Sequence, residues 1–250
     1  MLYKFMGGTE FELVDVFNKA VIAGSLKFTG AHFLNDPCEF RYESVKPSHQ
    51  QFTEWHATYE PERTEEELAN AWRELDDDSS DFNTNYAPRE HLMSSTYVLC
   101  LSHNWDEMTM WVHYASGQTG FVVIYRDEIV QKIASFPEFG HCGNVGYSDE
   151  VPKLRWFSGP PEEMTHALLS TKSLAWKNET EFRTILIEHL GNASIFRRID
   201  PTLIAGVVIG PRAPKSLIEI AKAHRSKQPD FSVHLARPSM STGKMVLVEA

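Results

Sequence analysis

The chain lacks most of the features by which a sequence declares its chemistry. Cysteine is scarce. Cys38, Cys100 and Cys142 are the only three in 250 residues, odd in number and far apart, which argues against a disulfide framework and fits a reducing compartment. The 11 histidines and three cysteines form no HxxxH or CxxC pair, and His141-Cys142 stands alone, so no zinc ligand frame is in sight and no metal is expected. There is no GxxxxGK[ST] phosphate loop, no GxGxxG that opens a helix after a strand and no GxSxG elbow. Their absence removes the phosphate-loop, dinucleotide-domain and serine-hydrolase readings. No apolar run approaches the roughly 20 residues that span a bilayer, and Met1 to Phe5 lack the basic-then-apolar order of a signal peptide. A cytoplasmic protein without a membrane partner is expected.

Basic residues are also in deficit, 24 against 34 acidic ones, but the imbalance is local. Ten acids lie between Glu60 and Asp81 against only Arg63 and Arg73, whereas Arg197 to Lys227 holds seven basic residues against Asp200 and Glu219. The net charge of -10 therefore does not exclude a nucleic-acid substrate. Both runs also read as ordinary solvated helix faces.

The hydrophobic content, 42%, is enough for one large core, and residues 1–250 are read as a single domain carrying an acidic helical and loop insertion over 45–92. Leu2 to Phe5 reads as a first strand. Thr9 and Glu12 form a capping box for a helix that carries Leu13, Phe17, Ala20 and Val21 and stops at Gly24. Leu26 to Thr29 is a second strand, broken by Asn35-Asp36-Pro37. Residues 47–75 read as helical and acidic, and 76–90 as a mobile loop. Thr96 to Leu101 has the make-up of a buried strand, with Cys100 as a core residue. Asn104, with Glu107 three residues on, is expected to cap a helix through Met108, Trp111 and Tyr114 to about Gly117. Strands are further expected over 121–125, 145–148, 203–209, 231–235 and 245–248, and helices from Pro160 to about Thr171 and from Pro214 to His224. Without a strict strand-helix-strand rhythm the pattern predicts an α+β fold around one central mixed sheet with helical insertions.

The most informative stretch is Trp176-Lys177-Asn178-Glu179-Thr180-Glu181-Phe182-Arg183, which runs into Thr184, Ile185, Leu186 and Ile187. Read as one strand, it places Glu179 and Glu181 on the same face about 7 Å apart. Paired like charges are costly to ionise together, so such a pair meets a cation, a metal or a polar substrate, or lies in open solvent. An ion network with Arg183 or Lys172 is the structural alternative for Glu181.

Several boxes occur in order: Leu2-Tyr3-Lys4-Phe5, Phe33-Leu34-Asn35-Asp36-Pro37-Cys38-Glu39, Cys100-Leu101-Ser102, Trp111-Val112-His113-Tyr114-Ala115, Lys172 with Trp176 to Arg183, and Leu203 to Gly210. Together they resemble a bacterial family numbered 2971 in the domains-of-unknown-function series, with Leu34 displacing the Asn that would adjoin Phe33. The order is also distantly similar to that of ADP-ribosyltransferases. That resemblance implies a split sheet and NAD as substrate. It also implies a site in which Glu181 stabilises the oxocarbenium-like carbon, Glu179 orients or deprotonates the acceptor, and Tyr3, Lys4, Asn35, Asp36, Ser102, Trp111 and Tyr114 bind the cofactor. Lys4 stands where members that modify nucleic acids carry Arg or His, and lysine does not reproduce arginine's bidentate fork.

By this reading the protein is an NAD-dependent transferase, a toxin or anti-phage defence effector acting on nucleic acid or protein and restrained by an antitoxin or regulatory protein. Glu181→Gln is expected to abolish turnover and leave the melting temperature almost unchanged. Two other readings stay open: a metal-dependent nuclease using Asp36, Glu39, Glu179 and Glu181, and a non-catalytic binding module. The residues have structural readings as well: Lys4 as a snorkelling edge-strand lysine, Trp111 and Tyr114 as core aromatics, Asn35 and Asp36 as turn formers.

Overall fold

A computed structural model describes residues 1–76, 87–160 and 168–248. Its strands are β1 (Leu2–Met6), β2 (Ser25–Gly30), β3 (Glu43–Val45), β4 (Thr96–Ser102), β5 (Phe121–Tyr125), β6 (Phe139–Asn144), β7 (Gly146–Tyr147), β8 (Lys153–Arg155), β9 (Thr171–Lys172), β10 (Glu181–Ile187), β11 (Ser194–Arg198), β12 (Ile204–Ile209), β13 (Ser232–Pro238) and β14 (Met245–Val248). The helices are α1 (Glu10–Phe17), α2 (His49–Tyr59), α3 (Glu65–Asp76), α4 (Ala87–Ser95), α5 (Met108–Tyr114), α6 (Ile129–Ala134) and α7 (Lys215–Lys227). The fold is α+β around a ten-stranded mixed sheet, antiparallel except where β12 runs parallel to β13.

That sheet branches at β4. Along one edge β4 pairs in full with β10, from Glu181↔Ser102 to Ile187↔Thr96, and β10 continues to β6. The other edge is shared by two strands that leave in different directions. β2 takes Tyr97 and Val98, whereas β1 takes only Ser102 before pairing along its length with β5. The interval around Cys100 is left to neither strand, and this fork opens the cavity described below.

Period-two alternation builds a core on each face of the sheet. Phe121, Val123 and Tyr125 face one side with Val207 and Ile209, where Leu13 and Phe17 of α1 and Leu217 and Ala221 of α7 cover them. Val122, Ile124 and Val208 face the other side, packed against Met110, Trp111 and Ala115 on and just after α5. The capping box forms as expected, with Thr9 N–H and Oγ1–H both donating to Glu12 Oε2. After α1 the chain passes through a π-helical turn, Asn18–Ile22, and Gly24 then takes a left-handed φ of 60°. A side chain there would collide with the Ile199 carbonyl.

Several expectations need correction. Helix α4 begins at Ala87, where a loop to residue 90 is predicted. Asn104 caps nothing: Glu107 is the N-cap of α5, and the Asn104 N–H donates to Ser102 Oγ. Strands β3, β6, β8, β9 and β11 and helix α6 went unread because each is too short, or too rich in glycine and polar residues, to carry a period. Most of the loop read at 76–90 and most of the helix read from Pro160 to Thr171 lie outside the described residues. Helices α2 and α3 fall inside the stretch read as an acidic insertion; Trp72 of α3 packs on Phe52 of α2, and α2 is fastened to the 153–159 segment. Phe52 and Trp55 pack on Phe157, Trp55 Nε1 donates to the Gly159 carbonyl at 2.6 Å, and β3 runs parallel to β8. Among the described residues no helix is long and apolar enough to cross a membrane.

Candidate functional site

The cavity in the fork has a volume of about 200 Å3. Its sides are strand residues, Lys4 and Phe5 from β1 and Val98, Cys100 and Ser102 from β4, and it is lined further by Tyr114 of α5 and Asn35 of the loop after β2. Three carboxylates and an ammonium form its floor: Glu39, Glu179, Glu181 and Lys172.

The two glutamates of the Trp176–Arg183 stretch converge by a route other than the one read from sequence. Glu179 is not in the strand; it ends a 3-10 turn, Leu174–Glu179, and β10 begins at Glu181. Between them Thr180 adopts a left-handed conformation, φ 41° and ψ 51°, uncommon for a β-branched residue. The reversal turns both carboxylates onto one ammonium, Lys172 Nζ, at 2.6 Å from Glu179 Oε2 and 3.5 Å from Glu181 Oε2. Glu39 Oε1 completes the set at 3.4 Å. Lys172 also lies over the Trp176 ring, 4.8 Å from its centroid. Burial alone would lower the lysine's pKa, but Glu181, Glu39 and Glu179 outweigh it and raise it, so the ammonium is permanent.

Behind the floor lies Arg183, whose side chain has no solvent exposure. Its five N–H donors are all used. Nε and Nη2 grip Glu181 at 2.7 and 3.0 Å, Nη1 and Nη2 grip Glu39 at 3.0 Å each, and Nη1 also donates to the Leu169 carbonyl. Burial pushes the Glu181 carboxyl up, but Arg183, through charge and hydrogen bonds, and Lys172 bring it down to about 2. Glu181 is therefore a fixed anion rather than a proton carrier. Glu179 is held differently. Tyr114 Oη donates to its Oε1 at 2.5 Å, and burial together with Glu179 raises the phenol's pKa well beyond the ordinary range, so Tyr114 stays a neutral donor.

The junction holding the two glutamates is clamped from outside. Glu181 N–H donates to Tyr147 Oη at 2.8 Å, and His103 N–H to the Thr180 carbonyl at 3.0 Å. Ser102 Oγ lies 2.7 Å from the Glu179 carbonyl and 3.1 Å from Thr180 Oγ1. Much of what Ser102 can offer is thus spent on the backbone.

Of the residues read as cofactor-binding, Tyr3, Lys4, Asn35, Ser102 and Tyr114 line the cavity together with Glu179 and Glu181. Two do not. Trp111 is fully buried in the core, edge-on to Phe5, with its Nε1 donating to the Trp105 carbonyl. Asp36 is a turn former: its Oδ1 accepts from Cys38 N–H, and its Oδ2 is buried with no hydrogen-bond partner among the described residues. Lys4 pairs with Val123 of β5 on one side; on the other, where β1 meets β4 only at Tyr3↔Ser102, its Nζ donates to the Cys100 carbonyl at 2.9 Å, in the interval neither β1 nor β2 claims. Cys100, read as core, is half-buried and belongs to the cavity wall, its thiol pKa raised by burial and by Glu181.

Sequence reasoning left Phe33, Met110 and Tyr147 without a role, and gave Cys100, Lys172 and Arg183 only a structural one. The spacing of Lys172, seven residues before Glu179, was the available signal, but only the fold shows that it is the cation at the centre of the acids. Among the described residues no three His, Cys, Asp or Glu side chains are grouped to hold a metal ion. Glu39, Glu179 and Glu181 surround Lys172 Nζ instead.

No curated protein and no solved structure matches the chain. Residues 110–184, which include Tyr114, Lys172, Glu179, Glu181 and Arg183, are similar to a family described as "Protein of unknown function (DUF2971)".

Proposed function

We propose that the fork cavity is the active site of an enzyme that breaks the nicotinamide–ribose bond of NAD and passes the ADP-ribosyl group to a nucleic-acid or protein acceptor. The observation that carries this reading is the charge balance of the floor. Three buried carboxylates, Glu39, Glu179 and Glu181, stand against two buried cations, Lys172 and Arg183, and all three carboxylates border the cavity. A fixed anion in a water-poor site favours a reaction in which positive charge develops, and it needs no reorganisation to do so. As the C1′–N bond breaks, its electron pair leaves with neutral nicotinamide and the ribose carbon becomes oxocarbenium-like. The acceptor's nucleophile then bonds to C1′ and gives up a proton, a role assigned to Glu179 because Glu181 is held ionised by Arg183. On the opposite side Lys4 spends one of its three protons on the Cys100 carbonyl, which leaves donors for a phosphate.

The test is NAD turnover by the purified protein. Release of nicotinamide, with ADP-ribose appearing on an added oligonucleotide or protein, is the expected result. No heat on titration with millimolar NAD, together with no loss of nicotinamide over hours, would overturn the proposal. Retained turnover in Glu181→Gln, with the fold verified by circular dichroism, would remove Glu181 from the chemistry.

A further inference from the structure

The cavity is small for a dinucleotide. Its volume of about 200 Å3 lies below the roughly 300–1,000 Å3 of clefts that enclose drug-sized ligands. A ring and its sugar can be enclosed, so the other end of a dinucleotide must leave through the mouth. Phe33 stands there. Among the described residues that line the cavity it is the one large hydrophobic side chain that is mostly exposed, at 60%. It closes a 3-10 turn, Ala31–Phe33, anchored by buried Ala31 and by the Leu34 N–H donating to the Ala31 carbonyl. Its ring edge lies over Gly30, 3.4 Å from where a Cβ would be. The backbone beneath the ring is thus fixed by β2 and by the Gly30 N–H donating to the Ala193 carbonyl at 2.9 Å. An aromatic face in water on a rigid base is a preorganised stacking surface.

Lys4 is the second observation. Among the described residues no carboxylate lies in ion-pair contact with it, whereas Lys172 and Arg183 are saturated with carboxylates. It is the cavity's available cation.

We infer that Phe33 and Lys4 form an outer subsite for a nucleotide: Lys4 takes a phosphate and Phe33 stacks on the base beyond it, while the ribosyl group to be transferred sits over the glutamate floor. This rests on the NAD reading above and adds which half of the ligand is enclosed and which residue selects for the second base. It predicts a preference for a dinucleotide over a mononucleotide.

The experiment is equilibrium titration of the wild type, Phe33→Ala, Phe33→Trp and Lys4→Met with NAD and with nicotinamide mononucleotide. Because Phe33 is exposed, its variants should keep the wild-type melting temperature. Phe33→Ala should weaken NAD roughly 5- to 100-fold and leave the mononucleotide within about twofold, Phe33→Trp should restore NAD affinity, and Lys4→Met should weaken both ligands. If NAD binds Phe33→Ala as tightly as the wild type, or if the mononucleotide weakens in step with NAD, the subsite is overturned and the NAD reading stands. If the wild type binds neither ligand, the NAD reading fails and the subsite falls with it.

Discussion

Two arginines in this molecule each stand between two glutamates, and they teach opposite lessons. Arg183 grips Glu39 and Glu181 with side chains no more than 2% exposed, whereas Arg197 holds Glu138 and Glu188 with side chains 16–25% exposed. In the first group every guanidinium proton has an acceptor and each carboxylate is held in a bidentate grip. In the second, Glu188 Oε2 is buried without a hydrogen-bond partner among the described residues, and burial and the neighbouring Glu138 push the Glu188 carboxyl up, while backbone and Arg197 hydrogen bonds hold Glu138 down. Only the dry group costs much to break, because water cannot replace a lost partner. The wet group is near the regime in which ion pairs contribute little.

The comparison is broken most directly at the arginines. Arg183→Met should be the most damaging change, about 3–5 kcal/mol by urea denaturation, because it leaves Glu39 and Glu181 buried with Lys172 as their remaining cation. A loss under about 1 kcal/mol would mean that water enters the floor.

Glu181→Gln comes next. The amide keeps the volume and one acceptor but gives up the charged half of the grip, so a cost of about 1–3 kcal/mol is expected, not an unchanged melting temperature. Its pH dependence follows from the sign of the shift. The folded pKa of about 2 lies below the ordinary carboxylate value of 4.5. The Glu181 charge therefore stabilises the fold in full above about pH 4.5 and loses that contribution as the pH falls toward 2. The gap between wild type and Glu181→Gln should narrow over that window, and a gap that is constant from pH 7 to 3 would contradict it. Glu188 has the opposite sign: with its folded pKa raised, its contribution is lost as the pH rises. Arg197→Ala should have the smallest effect, within about 1 kcal/mol and reduced further by salt; a larger loss would mark the Glu138–Glu188 pair as a second rigid site.

The frame of the cavity was legible in the sequence because its parts are local. Leu2-Tyr3-Lys4-Phe5 reads as a short strand, Thr9 and Glu12 satisfy each other three residues apart, and Thr96 to Leu101 has a buried strand's residue types. Glu181 was correctly read as a strand residue and Glu179 was not, since nothing local announces that Thr180 will turn left-handed. Trp111 and Tyr114 illustrate the limit of a helical box. They lie three residues apart on α5, but one end of that face meets the core and the other meets the cavity, so one ring packs on Phe5 and the other's hydroxyl reaches Glu179.

By itself the sequence determined the inventory: an acidic pair beside a strand, a first-strand lysine, and enough apolar periodicity for a sheet covered on both faces. Tertiary structure decided what that inventory does. Arg183 and Glu39 are 144 residues apart, and Lys4 and Cys100 are 96 apart. Such pairings follow from strand order and from the fork at β4. Charge is a property of a residue, but desolvation and partnership depend on what the rest of the chain folds around it.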